Sequence, residues 1–293
     1  MNLTKRNLLS ALAALSVFFL FSPGAVEAKN LYTDTVDFDT VGFSDSTNID
    51  NAYWPLTGDM LFPDKTLVYI IPAEEEEGEE CTINYINTTG GTKIVDGVEA
   101  VVVRDQEWLD YDCDGSLDFL EEDTFDWYAQ DDLGNIWYLG EDTESFCDAA
   151  NDECEEGPGP FDDGSWEAGK DIAGVGSDAE AGIVMLAHPI DKTLSGVSYR
   201  QEYYEDEAED MGKILRLNVP MMMMGGDDNN GGALSCLKTK EWTPLERGEV
   251  EHKFYCPGSY GLVKIEELKG KTVIVILSAI LDANLGDSGP EAP

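Results

Sequence analysis

Short runs of β-branched and aromatic residues, each closed by turn-forming residues, constrain this chain more than any other feature. They cover 66–71, 82–86, 98–104, 124–130, 136–139, 182–187, 197–204, 214–219, 250–255, 261–265 and 272–281. Such residues fit a pleated, half-buried surface, so each run predicts a strand. Between the runs stand Gly90-Gly91, Asp96-Gly97, Leu133-Gly134-Asn135 and Gly157-Pro158-Gly159-Pro160. No long segment carries the 3.6-residue apolar period of a crossover helix, and parallel strands need crossovers. The expected fold is therefore mainly β: an antiparallel sheet, as an open barrel or sandwich, with long acidic loops and at most one or two short helices. Only 205–213 reads as a short helix. The segment 126–141 is the clearest hairpin, because aromatic residues on both arms can pair across strands.

The first 28 residues read as a targeting segment. Lys5 and Arg6 precede an apolar run over 8–21, followed by Pro23, Gly24 and Val26-Glu27-Ala28. The run is shorter than the roughly 20 residues that span hydrocarbon and ends in small residues, so export with cleavage after Ala28 is expected. No Cys follows it to carry a lipid. Residues 29–293 then form a single β-rich domain of ample size for a buried core. The later apolar run, 273–281, is too short for a membrane span and predicts a buried C-terminal strand.

The chain holds 60 acidic against 18 basic residues, a formal charge of −42. That field repels nucleic acid and anionic membranes and attracts divalent cations. Acidity alone also suits a saline habitat or solubility, so most of these carboxylates need no special role. Six cysteines, Cys81, Cys113, Cys147, Cys154, Cys236 and Cys256, form an even set without a Cys-x-x-Cys. In an exported chain they favour disulfides over metal thiolates. Cys147 and Cys154 bracket a short acidic loop, and Cys236 and Cys256 bracket a hairpin, which would leave Cys81 with Cys113. Spacing alone does not decide among the pairings.

The most specific chemistry lies over 110–121. Asp110, Asp112, Asp114, Asp118 and Glu121 occupy positions 1, 3, 5, 9 and 12 of a twelve-residue loop, with Ser116 at 7, Gly115 at 6 and Leu117 at 8. Calcium takes six to eight hard oxygen ligands, which alternate side chains and a backbone carbonyl of such a loop supply; Gly115 permits the sharp turn and Leu117 would anchor the loop inward. With about one residue in five acidic and one in ten Gly, coincidence on the order of 1% over the chain is the minority reading. Asp110, Asp112, Asp114, Ser116, Asp118 and Glu121 are the expected ligands of a calcium ion. Over these twelve residues the chain resembles EF-hand loops, as in dockerin-like modules. Upstream, 98–108 reads as strand instead of an entering helix, and Glu122 is charged where an exiting helix begins apolar. That context implies one structural ion between strands, not a paired sensor.

A broader resemblance rests on Asp126-Trp127-Tyr128-Ala129-Gln130-Asp131 with Gly134-Asn135-Ile136-Trp137-Tyr138, on Ser165-Trp166-Glu167-Ala168-Gly169, and on Tyr199-Arg200-Gln201-Glu202-Tyr203-Tyr204 with Glu207-Ala208-Glu209-Asp210-Met211. These strings are similar to a family of uncharacterised exported bacterial β-rich proteins over most of the mature chain. The resemblance implies no activity and no catalytic residue. It implies a short hairpin turn where this chain carries the calcium-loop sequence.

Signatures of enzymes are thin. His188 and His252 are the only histidines, without His-Glu-x-x-His or a Gly-x-Ser-x-Gly elbow. His188 before Pro189 reads as a packing or capping residue. A hydrolase using paired carboxylates is the weakest alternative, since any pair can be picked from so many. A carbohydrate- or small apolar-ligand-binding module is the stronger one: Trp108, Trp127, Trp137 and Trp166 with Tyr128, Tyr138, Tyr203 and Tyr204 would line its groove, against a default of core packing. The four thioethers 221–224 suit Cu(I), but consecutive positions in a Gly/Asp/Asn loop read as a flexible insertion.

Overall fold

The computed structural model describes residues 31–56, 66–72, 80–151, 154, 157–162, 164–222, 233–246, 248, 250–257, 261–267 and 273–281. The expected targeting segment and Met223 and Met224 lie outside these residues.

The fold is mainly β, as its sequence predicts. Among the described residues fifteen strands follow in chain order: β1 (Thr66–Ile71), β2 (Cys81–Val95), β3 (Val98–Asp110), β4 (Phe119–Gln130), β5 (Ile136–Ser145), β6 (Phe161–Asp162), β7 (Trp166–Glu167), β8 (Glu180–Met185), β9 (Ser198–Arg200), β10 (Glu202–Tyr203), β11 (Met211–Met222), β12 (Ala233–Trp242), β13 (Glu251–Cys256), β14 (Gly261–Glu267) and β15 (Val273–Leu281). The helical elements among the described residues are two 3-10 turns, Phe38–Thr40 and Lys192–Leu194. Strand order is β10-β8-β5-β4-β3-β2-β1-β15-β14-β13-β12-β11-β9, with β6 and β7 also on β5. Neighbouring strands pair antiparallel, and the late strand β15 joins two meanders by pairing with both β1 and β14. A single residue, Gln201, separates β9 from β10, so the two ends of the path meet at one point of the chain.

Several expectations need correction. Segment 205–213 is not helical: Tyr204 bridges back to Ala208, Asp206 has φ 62°, and β11 already starts at Met211 opposite Trp242. Pairing to β12 overrides the helix-forming residues there. Gly90-Gly91 is no turn but lies inside β2, where the register to β3 shifts between Thr88 and Thr92. The reversal sits at Asp96-Gly97, both with positive φ as a two-residue hairpin requires. The run 197–204 divides at Gln201, and β12 occupies Ala233–Trp242, where Thr239 is the sole β-branched residue and no aromatic run marks a strand.

The core is one large cluster containing Tyr69, Val102, Trp127, Trp137, Trp166, Ile183, Tyr199 and Leu237. A smaller cluster surrounds the Cys236–Cys256 disulfide with Phe254 and Val263. In the predicted hairpin Tyr128 and Tyr138 stack at 4.9 Å between centroids. Three disulfides, Cys81–Cys113, Cys147–Cys154 and Cys236–Cys256, use all six cysteines.

Candidate metal site at the β3–β4 connection

The turn is built from its first carboxylate. Asp110 ends β3 almost fully buried, and its two oxygens accept the backbone N–H groups of Asp114 (3.1 Å) and Gly115 (2.7 Å). Cys113 and Gly115 take positive φ, 56° and 93°, which winds the chain tightly enough to aim those amides back at Asp110. Asp118 closes the far side: one oxygen accepts the N–H of Tyr111 (2.9 Å), the other the hydroxyl of Ser116 (3.0 Å), and its own N–H donates to Leu109 O (2.9 Å). The Cys81–Cys113 bond anchors the turn to the start of β2, and the Tyr111 hydroxyl donates to Asp148 beside the Cys147–Cys154 loop.

One oxygen each from Asp110, Asp112 and Asp118 lie within 4.8 Å of one another, with Asp110 buried and the other two exposed. The charge of Asp114 first, then burial and Asp110, raises the Asp112 pKa. Hydrogen bonds from Ser116 lower that of Asp114, whose carboxylate accepts the Ser116 N–H at 2.9 Å.

The remaining loop residues lie less close. Asp114 and Glu121 are outside that three-carboxylate group, and Ser116 is engaged with Asp118. Glu121 is the extra residue of a bulge in β4, between Leu120 opposite Trp108 and Glu122 opposite Glu107. It stands against Glu107, whose pKa is raised well above normal by burial first and then by Glu121. Leu117, expected to point inward, is instead 37% exposed at the surface of the turn.

The acidic interior was missed. Along β3 the positions in phase with buried Val101, Val103 and Leu109 hold Asp105 and Glu107, both buried. Asp126, Glu141 and Glu202 join them inside, and burial raises the pKa of each. The legible signal was carboxylates on the apolar phase of a strand. On the other face Arg104 pairs with Asp123 through two hydrogen bonds of 2.7 and 2.6 Å.

The aromatic groove loses most of its residues to the core. Trp127, Trp137, Trp166, Tyr128, Tyr138 and Tyr204 are buried, leaving Trp108 and Tyr203 half-buried. His188 packs edge-on against Tyr53. Among the described residues no helix is long and apolar enough to cross a membrane.

No family model and no curated protein matches this chain. Among solved structures it is similar to a crystal structure at 2.70 Å resolution described as "a putative lipoprotein from Parabacteroides distasonis". Identity is 10%, the match covers 79% of this chain and 99% of that one, and the TM-score is 0.37. A likeness of that degree supports no statement about what this chain does.

Proposed function

We propose that this is an exported acidic β protein that holds one calcium ion at the β3–β4 connection, in a structural or interaction role. The observation that carries the reading is the convergence of Asp110, Asp112 and Asp118 on one point of a turn wound by two positive-φ residues. Asp114, Ser116 and Glu121 are the further oxygen donors of the loop pattern, and an ion would relieve the mutual repulsion of these carboxylates. Export is supported by the pattern of the first 28 residues and by three disulfides, which persist outside a reducing cytoplasm.

Titration calorimetry of the chain from residue 29 onward should show one calcium site, and EDTA should lower its melting temperature. The site should vanish in Asp110→Ala and Asp118→Ala. No binding heat together with melting indifferent to EDTA would remove the reading.

A further inference from the structure

A second acidic group lies inside the curved sheet, away from the turn. The Tyr138 hydroxyl oxygen is 2.5 Å from Asp126 Oδ1 and 2.8 Å from Glu141 Oε2. All three residues are buried, with 4% or less of their surface exposed. A phenol carries a single hydrogen, so it donates to one of these carboxyls only. The other contact joins two oxygens, and it is a hydrogen bond only when that carboxyl keeps its own proton and donates it to the phenol oxygen. Two ionised carboxylates here would set lone pair against lone pair at a buried site.

Local backbone geometry creates the arrangement. Asp126 pairs with Glu141 and Tyr128 with Tyr138, so Trp127 alone on β4 faces both Leu139 and Gly140 on β5. This bulge puts Tyr138 and Glu141, three residues apart, on one face of the strand. Only glycine serves at 140: φ is 133°, and a Cβ would lie 2.3 Å from the backbone oxygen of Trp166.

The charged surroundings are acidic. Asp105 from β3 repels Asp126, and Glu122 from β4 and Glu202 from β10 act on the group, with Tyr128 from β4 stacked on Tyr138 and Trp166 from β7 edge-on to it. Glu141 Oε1, Glu202 Oε1 and Asp105 Oδ1 are buried without a hydrogen-bond partner. Burial lifts Asp126 to about 7, and burial with the charges of Glu202 and Asp126 lifts Glu141 well above its usual range.

We propose that Asp126, Tyr138 and Glu141 form a carboxyl–phenol–carboxyl group that retains a proton near neutrality and makes the β4–β5 pairing responsive to pH. The folded chain binds this proton more tightly than the unfolded chain, because the folded pKa lies above the unfolded one. Its contribution is therefore complete below the ordinary carboxylate range, about 4, and is lost as pH rises through about 7 and beyond. The pair loosens on the alkaline side, the reverse of acid unfolding.

Carboxyl carbon shifts of Asp126 and Glu141, followed by NMR from pH 4 to 9 at saturating calcium, test this directly. One of the two should still titrate as a protonated acid near pH 7; both ionised at pH 6 overturns the proposal. Melting temperature at saturating calcium should fall between pH 5 and 9 in the wild type. In Glu141→Gln, whose amide donates to the phenol at every pH, that fall should shrink. An unchanged slope in a folded Glu141→Gln overturns the proposal, and if the variant does not fold the wild-type shifts alone decide.

Discussion

Cys81 lies directly opposite Asp110 in the β2–β3 ladder and is bonded to Cys113, three residues further along the turn. One position of β2 thus faces the first carboxylate of the turn and tethers its tightest bend. The sequence separation of 32 makes this closure worth roughly 3–4 kcal/mol by chain-entropy reasoning. The double variant Cys81→Ala/Cys113→Ala should lose about that much stability in urea unfolding. Its calcium affinity should fall on the order of tenfold, because the ion must then order the bend itself. Equal affinity in calorimetry would mean that Asp110 holds the turn unaided.

Removing the Asp110 carboxylate leaves two amides without their acceptor. Asp110→Ala should cost about 1–3 kcal/mol in EDTA, before calcium enters, and Asp110→Asn less, since its amide oxygen still accepts one N–H. Asp112→Ala should leave melting in EDTA nearly unchanged while weakening calcium binding. Affinity should drop as pH falls into the carboxylate range, beginning at Asp112, whose pKa is raised by Asp114.

Gly140→Ala tests the bulge. The substitution forces a side chain into a positive φ and against the Trp166 carbonyl, so a loss of about 2–4 kcal/mol is expected from thermal unfolding. Ala at Gly97, with φ 81° and no atom within 4 Å of the added carbon, should cost clearly less, on the order of 1 kcal/mol.

Lys253 is buried with Glu241 at 3.0 Å and Glu251 at 3.3 Å. Burial alone would lower its pKa, but the two glutamates outweigh burial and raise it. Lys253→Met should cost about 3–5 kcal/mol near neutral pH, since the buried Glu241 is left uncompensated. The double variant Lys253→Met/Glu241→Gln should lose less in urea unfolding; a loss equal to that of Lys253→Met alone would show that packing of the lysine stem sets the penalty.

Strand content was legible because the apolar phase of each run is short and β-branched, and the Tyr128–Tyr138 hairpin was legible from its turn. What hid was set by partners distant in sequence. Ala233–Trp242 has Thr239 as its sole β-branched residue and becomes strand β12 because β11 and β13 flank it. Segment 205–213 has the composition of a helix, yet Met211 is claimed by Trp242. For the turn, the spacing placed Asp110 first and the sharp bend at Gly115, which has positive φ, but not that Glu121 would sit in a bulge beside Glu107. Asp126 and Glu141 could not be distinguished among 60 acidic residues until the register set them opposite one another.

The junction at Gln201 has a further consequence for how the molecule meets its own copies. A sheet of this size would ordinarily end in two open strands, each a template for adding another chain. Here the terminal strands are Ser198–Arg200 and Glu202–Tyr203, so each margin of the path is only a few residues long. β9 covers only Met211–Lys213 of the twelve-residue β11, so the rest of that margin is guarded by the strong negative charge that both molecules carry. Short terminal strands at the junction and like charge along the rest of the margin thus oppose edge-to-edge growth by separate means.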